Sequence, residues 1–464
     1  MRLMYMRGVS VLGCVLLLIA TAGCAQKRVT GLAKPEQDIG ESDLKTPAIP
    51  QKSAEPGMDT VPAGEPTGVL TLRDALAHAL MKNPELAGTS WDIRAAEARK
   101  LQASLLPNPE AGIEVEEFAG GGDRSGFDVA TTTFQLSQLI ELGGKRSKRT
   151  QSAALEQDLA GWDYQAKRLD VLIGTTKAFI DVVAAQEQVA LAEELVRLAE
   201  QVVYSVSERV DAGKVSPLEE VKSRVELSNT RIDLEKAKSS LKGSRKRLSS
   251  IWGQDEPTFE KADGELDTVK AIPSREQLTN LISKNPDVAR WVKEMEQRTA
   301  ALEVEKARRI PDLTVSGGVQ RFNDTDDHAF VIGVSLPLPL FDRNQGGIKE
   351  AQHKLAKAKE ESRAAVAKAN TGLADAYQEL SASYEGAVSL KGEVLPAAEL
   401  AFQASGEGYR EGKFNFLEFL DSQRTLFEAR GKYIETLATY HKAAADVERL
   451  TGEKLDAAME TPSK

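Results

Sequence analysis

The feature that most constrains this chain is that it is written twice. Leu72-Arg73-Asp74-Ala75-Leu76 resembles Ser274-Arg275-Glu276-Gln277-Leu278, and Asn83-Pro84-Glu85-Leu86 resembles Asn285-Pro286-Asp287-Val288. Leu106-Pro107 is matched by Ile310-Pro311, and Ala212-Gly213-Lys214 by Glu411-Gly412-Lys413. Leu218 is matched by Leu417, and Ile251-Trp252-Gly253 by Leu450-Thr451-Gly452. The spacing holds at about 200 residues, and punctuation repeated in one order is poorly explained by shared composition. Any fold must therefore place one unit twice, here residues 69–264 and 265–453, with a short tail at 454–464.

Each unit carries the same plan. In the first, a helix is expected over Leu72–Leu105, interrupted at Asn83-Pro84 and stopped by Pro107 and Pro109. Strands follow at about 111–118 and 127–139, where apolar and polar residues alternate, with a glycine-rich turn between them. After Gly143-Gly144 a helix runs from Lys145 to Val210, then turns at Ala212-Gly213-Lys214. Ser216, Pro217 and Glu219 suit the N-cap, first and third positions of a helix reaching Ile251. In the second unit a helix spans Arg275–Arg309, and strands lie at about 312–322 and 328–336. An elbow at Pro337–Gly347 leads into a helix to Tyr409 with an expected bend at Pro396. Gly412 breaks it, and Asn415–Leu450 forms the last helix.

Four strands and helices of such length restrict the architecture. Helices of about 60 residues imply coiled coils or a bundle. After residue 24 no apolar run is long enough for a membrane-crossing helix, which takes about 20 residues. A chain that crosses a membrane must then do so with strands, and a barrel must close. Four strands cannot close alone, because the smallest bacterial barrels have about eight. Two copies give eight strands around a filled interior, and three give twelve around a lumen. The polar turns at Gly120–Gly126 and Asn323–Asp327 are expected outside, and the elbows at Glu141–Gly144 and Pro337–Gly347 at the inner rim.

Other classes find little support. Sixty Lys and Arg against 70 Asp and Glu give a net charge of -10, which argues against a nucleic-acid partner. The two cysteines, Cys14 and Cys24, both lie near the N-terminus, so no disulfide framework or cysteine metal cluster is available further on. His78, His328, His353 and His441 form no metal-binding motif, and no nucleophile elbow or phosphate loop is present. The reading is no enzyme, no catalytic residues, no bound metal and no cofactor. A lipid-anchored coiled-coil scaffold without a pore would leave the paired strands unexplained.

The N-terminus reads as an export signal: Arg2 and Arg7, an apolar run from Val9 to Ala20, then Thr21-Ala22-Gly23 before Cys24. It looks like a lipoprotein signal peptide at 1–23, with Cys24 carrying covalent lipid. Ala25 resembles the outer-membrane sorting pattern. Residues 24–68, rich in Pro and Gly, read as an acylated tether.

Taken with these features, Leu105-Leu106-Pro107-Asn108-Pro109-Glu110, Glu141-Leu142-Gly143-Gly144-Lys145-Arg146 and Pro337 to Gly346 resemble the TolC-like outer membrane efflux protein family. Within it, the chain is similar to the outer-membrane component of heavy-metal, cobalt-zinc-cadmium type, resistance-nodulation-division pumps. The resemblance implies a homotrimer whose twelve-stranded barrel continues into a long α-helical periplasmic barrel. It implies a passive exit duct for divalent heavy-metal cations, with a periplasmic adaptor, an inner-membrane pump and outer-membrane lipid as partners. A drug or polypeptide cargo is the alternative. It further implies acidic residues at the periplasmic mouth, here Glu418 and Asp421, which lie three apart and share a helix face. The hairpin tips at Gly213 and Lys214 and at Gly412 and Lys413 match the regions that meet the adaptor.

Overall fold

The computed structural model describes residues 67–455. The expected signal peptide, Cys24 and nearly all of the expected tether lie outside the described residues. In chain order the elements are β1 (Gly68–Thr71), α1 (Leu72–Lys82), α2 (Pro84–Ser104), β2 (Glu110–Glu116), β3 (Thr131–Ile140), α3 (Lys145–Asp211) and α4 (Pro217–Ser250). The second unit follows with β4 (Phe259–Asp263), α5 (Arg275–Leu281), α6 (Pro286–Ala307), β5 (Leu313–Phe322), β6 (His328–Ser335), α7 (Gln345–Ser389), α8 (Leu395–Arg410) and α9 (Phe416–Thr451).

The repeated Asn-Pro pairs explain why each unit closes on itself. Asn83 caps α2 by accepting from Leu86 N at 2.7 Å, while its amide donates to Ile251 O at 2.6 Å. Asn285 caps α6 by accepting from Asp287 N at 2.8 Å, and its amide donates to Arg449 O and Leu450 O, each at 2.9 Å. One side chain thus starts one helix and satisfies the carbonyls at the end of the last helix of its own unit. The expected continuous helix over 275–309 is therefore broken: a 3-10 turn at Ile282–Lys284 precedes Asn285, and Pro286 opens α6.

The four long strands form one antiparallel sheet in the order β2-β3-β5-β6. All ten residues of β3 pair with β5, so the two units meet at the centre. The register fixes the faces. Ile113, Phe134, Val319 and Phe330 stand in one cross-strand row, and Ala111, Leu136, Gly317 and Ile332 in another. These rows share an apolar face on which Phe330, Ile332 and Val334 are 67%, 83% and 68% exposed. The opposite face carries rows such as Glu114, Thr133, Gln320 and Ala329. Gly318 is required at the centre, because a Cβ there would lie 2.4 Å from Phe134 O. Strand β2 ends at Glu116 rather than at 118, since Glu117 and Ala119 turn to positive φ. Strand β3 starts at Thr131 rather than at 127, because Ala130 N donates to Phe127 O and closes a turn.

Below the sheet the helices take over. The 67 residues of α3 span about 100 Å at 1.5 Å per residue. Among the described residues no helix is long and apolar enough to cross a membrane. Helix α7 is separated from α8 by a π-turn at Leu390–Val394, so the irregularity lies just before Pro396, which sits in the first turn of α8. The extra residue of a π-turn spares the proline ring a clash with a preceding carbonyl.

A two-stranded parallel sheet, β1 with β4, was not expected from the sequence. Leu70, Phe259 and Ala262 are buried against Phe179, Val182 and Val183 of α3 and Leu248 of α4. Fully burying side chains of this size stabilises by about 1.5–3 kcal/mol each. The Gln186 side chain donates to Ala262 O and accepts from Ala262 N, both at 2.8 Å, standing in for a third strand. The chain from Gly68 onward is thus held in the body rather than in a tether.

Candidate functional site: the hairpin tips and the sheet edges

Two features of the chain are unfinished or poised. The first is the four-stranded sheet, whose edge strands β2 and β6 each pair on one side only among the described residues. Its junction with the helices is firmly built. Asp312 accepts from Leu142 N at 3.0 Å and pairs with Lys145 Nζ at 2.7 Å, joining both units at one point. Glu141 pairs with Arg149, and Asn344 donates to Glu305 O at 2.8 Å.

The second is the far end of the helices, where each unit makes a hairpin tip. The two tips are built alike. Lys214 N donates to Arg209 O and Gly213 N to Val210 O; Lys413 N donates to Gly408 O and Gly412 N to Tyr409 O. These are paired Schellman motifs, which need a left-handed residue after the helix end. Gly213 and Gly412 supply it, at φ of 67° and 77°. Lys214 and Lys413 are exposed beside them, and Lys413 pairs with Glu411 at 2.6 Å.

The tips are also tied to each other. Tyr409, at the end of α8 and only 7% exposed, donates from its hydroxyl to Glu219 Oε2 at 3.0 Å. The Arg209 guanidinium lies 4.4 Å from the Tyr409 ring centre and donates to Tyr409 O at 3.0 Å. Tyr409 further packs with Val206, Phe416 and Phe419 in a small apolar cluster. Burial, then the bond to Glu219 and that residue's charge, pushes the phenol up to about 12. The hydroxyl is therefore a proton donor at any physiological pH. Glu219 was expected to close a capping box with Ser216. Ser216 does cap α4, accepting from Leu218 N at 3.2 Å, but Glu219 reaches across to Tyr409 instead. Neither Tyr409 nor Arg209 belongs to a motif in the sequence. Their position three to four residues before each tip glycine is the signal that could have found them.

Glu418 and Asp421 both lie in the first turns of α9, exposed in the single copy. Glu418 completes a capping box: its carboxylate accepts from Asn415 N and its N–H donates to Asn415 Oδ1, both at 3.0 Å. Asp421 pairs with Arg424 at 3.1 Å.

Residues 75–254 and 278–453 match the outer membrane efflux protein family, and the chain belongs to it. It is an outer-membrane transport duct and not an enzyme. Among its relatives, the cobalt-zinc-cadmium resistance protein CzcC of Cupriavidus metallidurans is 38% identical over 405 residues, covering 87% of this chain and 95% of that one. The nickel and cobalt resistance protein CnrC of the same organism is 27% identical over 285 residues, covering 61% of this chain and 67% of that one. Of solved structures, CusC superposes with a TM-score of 0.71 at 16% identity, over 88% of this chain and 99% of that one. The outer membrane channel CmeC of Campylobacter jejuni gives 0.68 at 15% identity, over 91% and 94%.

Proposed function

We propose that three copies close a twelve-stranded barrel in the outer membrane and that the duct exports divalent heavy-metal cations. The observation that carries the assembly is the sheet itself. Its apolar face is exposed, its opposite face is polar, and β2 and β6 are left with unpaired edges. Backbone groups at such edges have no partner in lipid, so another copy must supply one. Head-to-tail pairing of unlike edges closes by rotation into a ring. Three copies leave room for a lumen, where two would fill it with side chains.

The cargo and partners rest on the relatives. CzcC and CnrC are named for resistance to cobalt, zinc, cadmium and nickel. A duct of this kind supplies no energy, so a pump in the inner membrane and an adaptor reaching the tips at Gly213-Lys214 and Gly412-Lys413 complete the pathway. Loss of the gene is expected to sensitise cells selectively to zinc, cobalt, cadmium or nickel. Sensitivity to detergents and antibiotics with unchanged metal tolerance would contradict the metal reading and favour the drug alternative.

Glu418 and Asp421 bring two carboxylates per copy to the first turns of α9, and a ring of them would favour cations by its field. Glu418→Gln with Asp421→Asn keeps the shape, and Gln still serves a capping box. The pair is expected to lower cation preference severalfold in single-channel reversal potentials. An unchanged reversal potential would remove both residues from the mouth.

A further inference from the structure

Within one copy the lower helices pack side by side in the order α4, α3, α9, α8, with α7 continuing above α8. Helices α4 and α7–α8 are thus the two lateral edges. The free side of α4 is uncovered: Val221, Val225 and Ile232 are 57%, 56% and 56% exposed. Their spacing of four and seven is that of a coiled-coil seam. Toward its upper end the helix becomes basic, with Lys238, Lys242 and Lys246 one turn apart in a chain that is acidic overall. Lys242 has no ion pair among the described residues. Lys238 and Lys246 have only long ones, to Glu235 at 3.4 Å and Glu256 at 3.5 Å.

The opposite edge carries Glu385 of α7 and Glu393 of the π-turn, both exposed and without an ion pair among the described residues, with one exposed lysine, Lys391, between them. Contacts across the bundle set their height. Gly386 lies against Thr436 of α9. Thr436 stands between Gly431, bonded by Gln188, and Lys442, paired with Asp181. That stretch of α3 adjoins Phe179 and Val183, which share a core with Leu248 of α4. Glu385 is therefore level with Lys246. Lower down, Arg430 joins Glu399 to Glu194, and Arg231 of α4 pairs with Glu200 just beneath. Glu393 lies between these marks, level with Lys238 and Lys242.

We propose that Lys238, Lys242 and Lys246 of one copy dock against Glu385 and Glu393 of the next, forming an ion-paired seam that selects which edges of the copies meet. This rests on the ring of copies proposed above. It adds the residues that steer the helical edges together, as opposed charges do in other interfaces. The seam is exposed on both sides before assembly, so its effect is screened by salt.

The test uses the full-length protein in detergent micelles, with the trimer fraction read by light scattering across a dilution series. Lys242→Glu with Lys246→Glu is expected to raise the concentration for half-assembly at least fivefold in 50 mM salt, and less in 500 mM salt. Adding Glu385→Lys with Glu393→Lys to the same chain is expected to restore assembly, since the charges are exchanged and still opposite. An unchanged midpoint in the first variant, or no restoration in the second while the parent protein is trimeric, would overturn the seam alone. A parent protein that stays monomeric would overturn the ring and the seam together. A first variant that still assembles but no longer binds an anionic envelope polymer would also overturn it, assigning the lysines to that polymer instead.

Discussion

Ile332→Arg is expected to keep the chain from holding its place in the outer membrane, with a loss of about 2–4 kcal/mol per copy for a cation near the bilayer midplane. Ile332 is the most suitable site because it lies in the middle of β6 and is 83% exposed on the apolar face. Little among the described residues packs on it, so the cost comes from removing an arginine from water rather than from lost packing. Gln320, on β5 three residues along from Ile332's partner Gly317 and on the polar face, provides the control. Gln320→Arg puts the same charge on the polar face of the sheet and should fold with little loss. Urea titration of the protein refolded into lipid vesicles measures both. Equal behaviour of the two variants would show that the faces are assigned wrongly.

Tyr409→Ala is expected to loosen the link between the hairpin tips and raise the population in which they are parted. The variant removes the hydroxyl bonded to Glu219, the ring under Arg209 and the centre of a small apolar cluster. A hydrogen bond to a charged group is worth about 1.5–3 kcal/mol, which corresponds to a shift of about 10- to 150-fold in an equilibrium between tied and parted tips. Tyr409→Phe isolates the hydroxyl and should give that shift by itself, and Tyr409→Ala should exceed it by the loss of the ring contacts. Single-channel recordings read it as longer or more frequent openings. The pH dependence has a definite sign. The phenol is raised to about 12 from an ordinary value of 10.0, so its folded state favours the proton. The link is fully present below pH 10 and is lost as pH rises through about 12. Gating that shifts between pH 6 and 8 would have to come from another group.

The sequence was most legible where backbone chemistry leaves residue-specific marks. Asn-Pro pairs, Schellman glycines and alternating strands appear in the amino-acid order because each rests on a local requirement. The elements that escaped have the opposite character. Strands β1 and β4 are four and five residues long and pair across nearly the whole first unit, so neither Gly68–Thr71 nor Phe259–Asp263 carries a periodicity to notice. The bond from Tyr409 to Glu219 joins residues of different units, and only folding brings them together. Glu219 was visible as a helix-start residue, yet a buried tyrosine outcompeted the local cap. The π-turn before Pro396 was visible only as a bend, because a proline announces a disturbance without saying which turn absorbs it.

The most direct measurement is the oligomeric mass and conductance of the same purified sample. In detergent the mass should equal three chains, and on reconstitution into planar bilayers that species should pass ions in discrete steps. A sample that is strictly monomeric, or a trimer that carries no current even when Tyr409 is replaced, would contradict a shared barrel opening into a helical duct.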